Sequence, residues 1–146
     1  MSAGWVAAAI MVSPGVGTGV AHAQECDPVE TAKLLADDGA VSDLFGYSVA
    51  MSSDTAIIGA SADDDNGSAS GSAYVFTQIG GVWSQQTKLL PDDGAEDDLF
   101  GHSVSISGDA VVIGARFDDD NGTDSGSAYV FIRSGGMWIQ QAKLLS

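Results

Sequence analysis

Positive charge is scarce in this sequence. Five lysines and arginines stand against twenty aspartates and glutamates, a formal charge of −15 over 146 residues. Nucleic acid is thereby a poor partner, because binding it needs a basic face. An anionic membrane surface is an equally poor partner on the same ground. Cations, or a basic surface, fit better. Cysteine is nearly missing: Cys26 stands alone, so no intrachain disulfide can form, and it reads as an unremarkable thiol near the chain start. No metal-ligating histidine pair, phosphate-cradling loop or dinucleotide fingerprint appears. No long stretch follows the 3.6-residue apolar period of a helix. The apolar run Trp5–Val12 is too short to span a bilayer, so no membrane span is expected.

That run has another reading. Pro14, Gly15, Gly17 and Gly19 break it, and Ala21-His22-Ala23 then places small residues at the −3 and −1 positions of a cleavage site. Residues 1–23 read as a secretory signal peptide cut before Gln24, although no Lys or Arg precedes the apolar run. A buried N-terminal helix is the alternative. The exported chain would have 123 residues (146 − 23), carrying every charge, at a secreted or cell-surface location.

What the sequence does contain is itself, twice. Lys33-Leu34-Leu35, Lys88-Leu89-Leu90 and Lys143-Leu144-Leu145 lie 55 residues apart. The same offset carries Phe45-Gly46 onto Phe100-Gly101 and Gly71–Phe76 onto Gly126–Phe131. Between residues 33–87 and 88–142, 35 of 55 positions are identical and the register never slips. A fixed period of this length marks stacked units, each unable to bury its apolar faces alone. The divisions that follow are residues 24–32 as an N-terminal segment beginning a leading strand, residues 33–87 and 88–142 as the two units, and residues 143–146 as the end of the last strand.

Each unit reads as four antiparallel strands. Phe45–Met51 alternates large with small, as does Phe100–Ile106; Thr55–Ala60 and Ala110–Ala115 follow as apolar strands. Ser72–Phe76 and Ser127–Phe131 come third, then Gly80-Gly81 and Gly135-Gly136 as hairpin turns, then Val82–Leu90 and Met137–Leu145. The expected class is all-β, with propeller blades: two four-stranded antiparallel units plus a leading strand at Val29–Leu35, an incomplete propeller. Gly46, Ser48 and Ala50 form the small side of the first strand, suited to close approach; Phe45, Tyr47 and Val49 form the large side, suited to filling space beside a neighbouring blade.

Phe-Gly in the first strand, Gly-Ala ending the second and Gly-Ser-Ala-Tyr-Val-Phe in the third resemble the FG-GAP repeats, which build the propellers of integrin α-subunits. The likeness covers residues 29–145 and is nearest to the secreted bacterial branch. It implies extracellular adhesion or ligand binding, often with calcium, and no general catalytic activity. Two features depart from the integrin type. The connections Ser52-Ser53-Asp54 and Ser107-Gly108-Asp109 are too short to encircle an ion, so that calcium loop does not carry over. Two units cannot close a ring from one chain. Either the chain is a fragment of a longer protein, the reading favoured here, or several copies complete the ring; three would supply six blades.

The strongest candidate site is the acidic loop after the second strand. Asp63, Asp64, Asp65 and Asn66, with Asp118, Asp119, Asp120 and Asn121, offer the hard oxygen donors that calcium takes, and a glycine follows each set. The spacing lacks a leading carboxylate, and an Asx-rich turn without metal explains the same residues. Both readings stand at this point. Asp37–Asp43 and its copy Asp92–Asp98 read as a solvated connector, with a cation-ligand role, resting on carboxylate density, as the alternative. Gly101-His102-Ser103 approximates a nucleophile elbow but lacks the last glycine and the following helix, and tyrosine replaces the histidine in the sister unit. Trp83, Trp138, Tyr74 and Tyr129 read as packing between blades; exposed, they would stack on sugars instead. The function expected is non-enzymatic binding of an extracellular protein or glycan through rim loops. A scaffold in a larger extracellular enzyme and a self-assembling lectin are the alternatives.

Overall fold

A computed structural model describes residues 29–146. The signal-peptide reading and Cys26 lie outside the described residues. Thr31–Ser146 form one compact unit with eight strands and no helix. Strands β1 (Phe45–Ser52), β2 (Thr55–Ala60), β3 (Ser72–Ile79) and β4 (Val82–Leu89) pair in chain order as one antiparallel sheet. Strands β5 (Phe100–Ser107), β6 (Ala110–Ala115), β7 (Ser127–Ser134) and β8 (Met137–Leu145) form the second. These are two propeller blades, and they do not close a ring.

Local chemistry sets the hairpins. Gly80 and Gly81 both take positive φ, 60° and 83°, as do Gly135 and Gly136. Two consecutive left-handed residues make the type I′ turn whose twist matches that of the flanking strands. The Phe-Gly pair has a separate cause. The β1–β2 register slips between Phe45 and Ser48, where Gly46 sits at φ 91°; β5–β6 slips likewise at Gly101, φ 85°. The bulge lays the phenylalanine ring over its own blade. Phe45 meets Tyr74 edge-to-face at 5.3 Å and Phe76 at 6.1 Å, and Phe100 repeats both distances with Tyr129 and Phe131. Such pairs add about 1 kcal/mol each beyond area burial.

The two blades stack face to face. Ile57, Ala73, Val75 and Leu89 on one side of the first blade pack with Phe100, Val111, Ile113, Tyr129 and Phe131 of the second. The opposite side of the first blade carries Ile58, Tyr74 and Phe76, against which Leu34, Ala36, Phe45 and Trp83 lie. The small side of β1 approaches β5 as its residue sizes allow: Ser48 Oγ donates to the Gly101 carbonyl at 2.7 Å.

One expectation needs correction. Val29–Leu35 forms no strand; residues 29–36 belong to no ladder. Its counterpart β4 is held by β3, and no described strand offers the leader an equivalent partner. Leu34 and Ala36 contribute by packing instead.

Candidate functional site

The β2–β3 loop closes on its own carboxylates. Asp63 Oδ1 accepts from the Asp65 amide at 3.1 Å, and Asp64 Oδ1 accepts from the Ala69 amide at 2.8 Å. Gly71 N donates to the Asp63 carbonyl at 2.8 Å, and Asn66 N donates to Ser70 Oγ. The second loop repeats this with Asp118 to Asp120 N, and Asp119 to Asp124 N at 2.6 Å. The Asp63–Asp65 and Asp118–Asp120 contacts are Asx turns, built because a short carboxylate reaches the backbone N–H two residues on; Asp64 and Asp119 close the wider loop.

Asp63 is buried, and so is Asp118. A buried carboxylate needs a counter-charge, and the fourth strand delivers one. Lys88 Nζ lies 2.8 Å from Asp63, 2.6 Å from Asp65 and 3.0 Å from Asp38. An ammonium has three protons, and here each faces one carboxylate. The Tyr74 hydroxyl sits between Asp38, at 2.9 Å, and Asp63, at 3.0 Å, while its ring lies 5.0 Å beneath the ammonium. Lys143 repeats the cage with Asp118 at 2.7 Å, Asp93 at 2.8 Å and Asp120 at 2.5 Å, and Tyr129 lies between Asp93 and Asp118. Three carboxylates and one ammonium leave each cage with a net charge of −2.

The protonation shifts follow. Burial by itself would depress Lys88, but its bonds to Asp63, Asp65, Tyr74 and Asp38 outweigh that and hold it above an ordinary lysine; Lys143 is raised by the same balance. The bond from Lys88 holds Asp38 below the usual carboxylate range. Burial pushes Asp118 up, yet Lys143, Tyr129 and Ser127 bring it down to about 2. Burial raises Tyr74 to about 12, and Tyr129 higher still.

The eight residues singled out from the sequence therefore separate. Asp63, Asp65, Asp118 and Asp120 enter the cages. Asp64 and Asp119 serve backbone turns. Asn66 is exposed, and the Asn121 amide donates to the Ser146 carbonyl. The donors would suit calcium in type, but as arranged they do not fit it: the ammonium stands where an ion would. Among the described residues no group of three acidic, histidine or cysteine side chains is arranged to hold a metal. Sequence reasoning missed Lys88, Lys143, Tyr74, Tyr129, Asp38 and Asp93. A signal was present, since three of the chain's five bases are the repeated lysine of Lys-Leu-Leu. The connector is also more than solvated: Asp38 and Asp93 enter cages, and buried Asp43 and Asp98 accept from Ala40 N and Ala95 N at 2.6 and 2.7 Å.

The Phe-Gly bulges, the glycine-ended second strands and the paired four-stranded sheets all coincide with a known repeat, whose family profile (FG-GAP repeat) matches residues 28–76 and 83–131. The chain belongs to the FG-GAP repeat family. No curated protein matches it in sequence. In this FG-GAP chain the cages lie at one end of each blade, where the β2–β3 loop meets the connector into β1 and the β6–β7 loop meets the connector into β5. Beside the second cage, Glu96, Asp97, Leu99, Phe117, Asp119 and Asp124 line an open groove of about 450 Å³. Among the described residues no helix is long and apolar enough to cross a membrane.

Proposed function

We propose that this FG-GAP chain is an exported, non-enzymatic binding module that grips a basic extracellular protein surface through its acidic rim. The carrying observation is the groove of Glu96, Asp97, Asp119 and Asp124 around Leu99 and Phe117. Four carboxylates around two apolar side chains suit a lysine or arginine with its aliphatic stem. The internal lysine supports the reading from behind. It holds the loop carboxylates in place, so that the rim enters binding already ordered, which lowers the entropic cost of association. In this reading Lys88 and Lys143 do the structural work that an ion would do in the calcium alternative, and the metal-free turn is the one adopted.

Two measurements test it. Surface binding of a lysine-rich peptide should weaken steeply with salt and should fall several-fold in the Glu96→Gln/Asp97→Asn double variant, whose substitutions leave both cages intact. Equal binding by the variant removes the proposed surface, and tryptophan quenching by neutral glycans instead would favour a lectin. Calorimetry at millimolar calcium should show neither heat nor a melting shift. Either signal would return the loops to the calcium reading.

A further inference from the structure

We propose that the bare face of the second blade is a socket for the first blade of a second copy of this chain, so that copies join head to tail. The interface inside the chain supplies the template. There, the connector Asp97–Gly101 runs along the first blade like an added strand. Asp97 N donates to the Ser68 carbonyl at 2.8 Å, Leu99 N to Ala69 at 3.1 Å and Phe100 N to Ser70 at 2.9 Å. Phe100 bridges Gly71 in parallel. The fit is so close that a Cβ on Gly71 would lie 2.0 Å from the Phe100 carbonyl oxygen, and one on Gly59 would lie 2.0 Å from that of Gly101.

The second blade keeps this receptor, and no described residue fills it. A groove of about 510 Å³ runs past Ser103, Gly114, Arg116, Gly126, Ala128 and Leu144. Five of these six positions match the first blade's Ser48, Gly59, Gly71, Ala73 and Leu89 in type; Arg116 replaces Ser61. The carbonyls of Thr123, Asp124 and Ser125, counterparts of the three acceptors above, take no backbone bond from a described residue. Gly114 would meet only the rotatable Ser103 hydroxyl within 3 Å. At the matching Gly59 that space is taken by the Gly101 backbone; at Gly114 no described backbone enters it.

The matching plug is on the first blade. Ser42, Leu44 and Gly46 hold the same left-handed backbone as Asp97, Leu99 and Gly101, with φ of 77°, 57° and 91° against 67°, 53° and 85°. The plug is thus preshaped, and its side chains Val49 and Met51 are bare where Val104 and Ile106 pack into the core. Plug and socket are different surfaces, so the contact is heterologous and propagates. A ring of two to four copies would span the roughly four to eight blades of propellers. At each joint Lys33–Ala36 of the incoming copy and Lys143–Ser146 of the receiving copy correspond to the same positions. The leader, which has no ladder bonds to lose, gives way.

Sedimentation of the purified chain tests this with two variants at exposed positions. Val112→Lys blocks the socket and keeps the plug; Val49→Asp does the reverse. The unaltered chain should associate with rising concentration. Each variant alone should stay monomeric with an unchanged far-ultraviolet spectrum, and an equimolar mixture should give a 1:1 dimer and nothing larger. Leu144→Lys with Met51→Asp provides a second pair if either first variant misfolds. A monomer at every concentration overturns the proposal. So does a dimer that persists in both single variants, or a mixture that fails to pair. Asp124 borders both the socket and the acidic groove, so peptide binding is read on the monomeric Val112→Lys variant and its loss leaves the association result unchanged.

Discussion

Ile57 and Val112 occupy the same position in the two blades, yet Ile57 is fully buried and Val112 is 41% exposed. Leu89 and Leu144 differ the same way, 4% against 53%. On the first strands the contrast reverses. Val49 is 69% exposed while its copy Val104 packs against the core. Matched apolar residues have thus taken opposite burial, because among the described residues each blade has one neighbouring blade and the neighbours lie on opposite sides. Burial in a stacked repeat belongs to the joint between units and not to the unit. The cages teach the contrary lesson: both lysines are 14% exposed at the side chain and meet the same three carboxylate positions.

That difference can be broken at four points. Ile57→Ala should cost about 3–4 kcal/mol in denaturant unfolding, as a fully buried side chain is lost with a cavity left behind, whereas Val112→Ala should cost under about 1 kcal/mol. Equal losses would mean that the blades do not stack as described. Lys88→Met and Lys143→Met should each cost about 2–3 kcal/mol, less than a fully buried pair because Asp38 and Asp65 are half exposed. Here the copies should agree, and disagreement would show that one cage depends on the other blade.

Gly59→Ala sets a methyl against a neighbouring backbone and should cost about 2 kcal/mol. Gly114→Ala meets only a serine hydroxyl that can rotate, and melting temperature should barely move. The smallest effect is electrostatic. Asp118 is held at about 2, below the ordinary value near 4. A depressed carboxylate contributes stability above its unfolded pKa and loses it as pH falls through the folded one. Stability should therefore drop by about 1–2 kcal/mol between pH 4 and pH 2. Asp98, raised by burial, opposes the trend because the folded state takes its proton more readily. Asp118→Asn should flatten the acid limb; an unchanged limb would place the titration elsewhere.

The strands were legible because alternation and the glycine turns act within a few residues. The bulge at Phe45-Gly46 was only half legible. The pair recurs visibly, but that the glycine turns the ring onto its own blade depends on register with β2. The cage was harder still, since Asp38 and Lys88 lie 50 residues apart. Carboxylates that stand together in the sequence drew attention to metal, while the cation that answers them comes from the far end of the unit. The missing leading strand has the same origin: Val29–Leu35 resembles a strand, but a strand exists only where another lies beside it.

Asp38, Asp63, Asp65, Tyr74 and Lys88 all lie within 51 consecutive residues of one blade, less than the 55-residue repeat distance. A segment that carries its own counterion can be duplicated without a new compensating mutation in the segments around it. Each added copy brings its own ammonium to its own buried carboxylate, and the residual charge of −2 per cage accumulates along the rim.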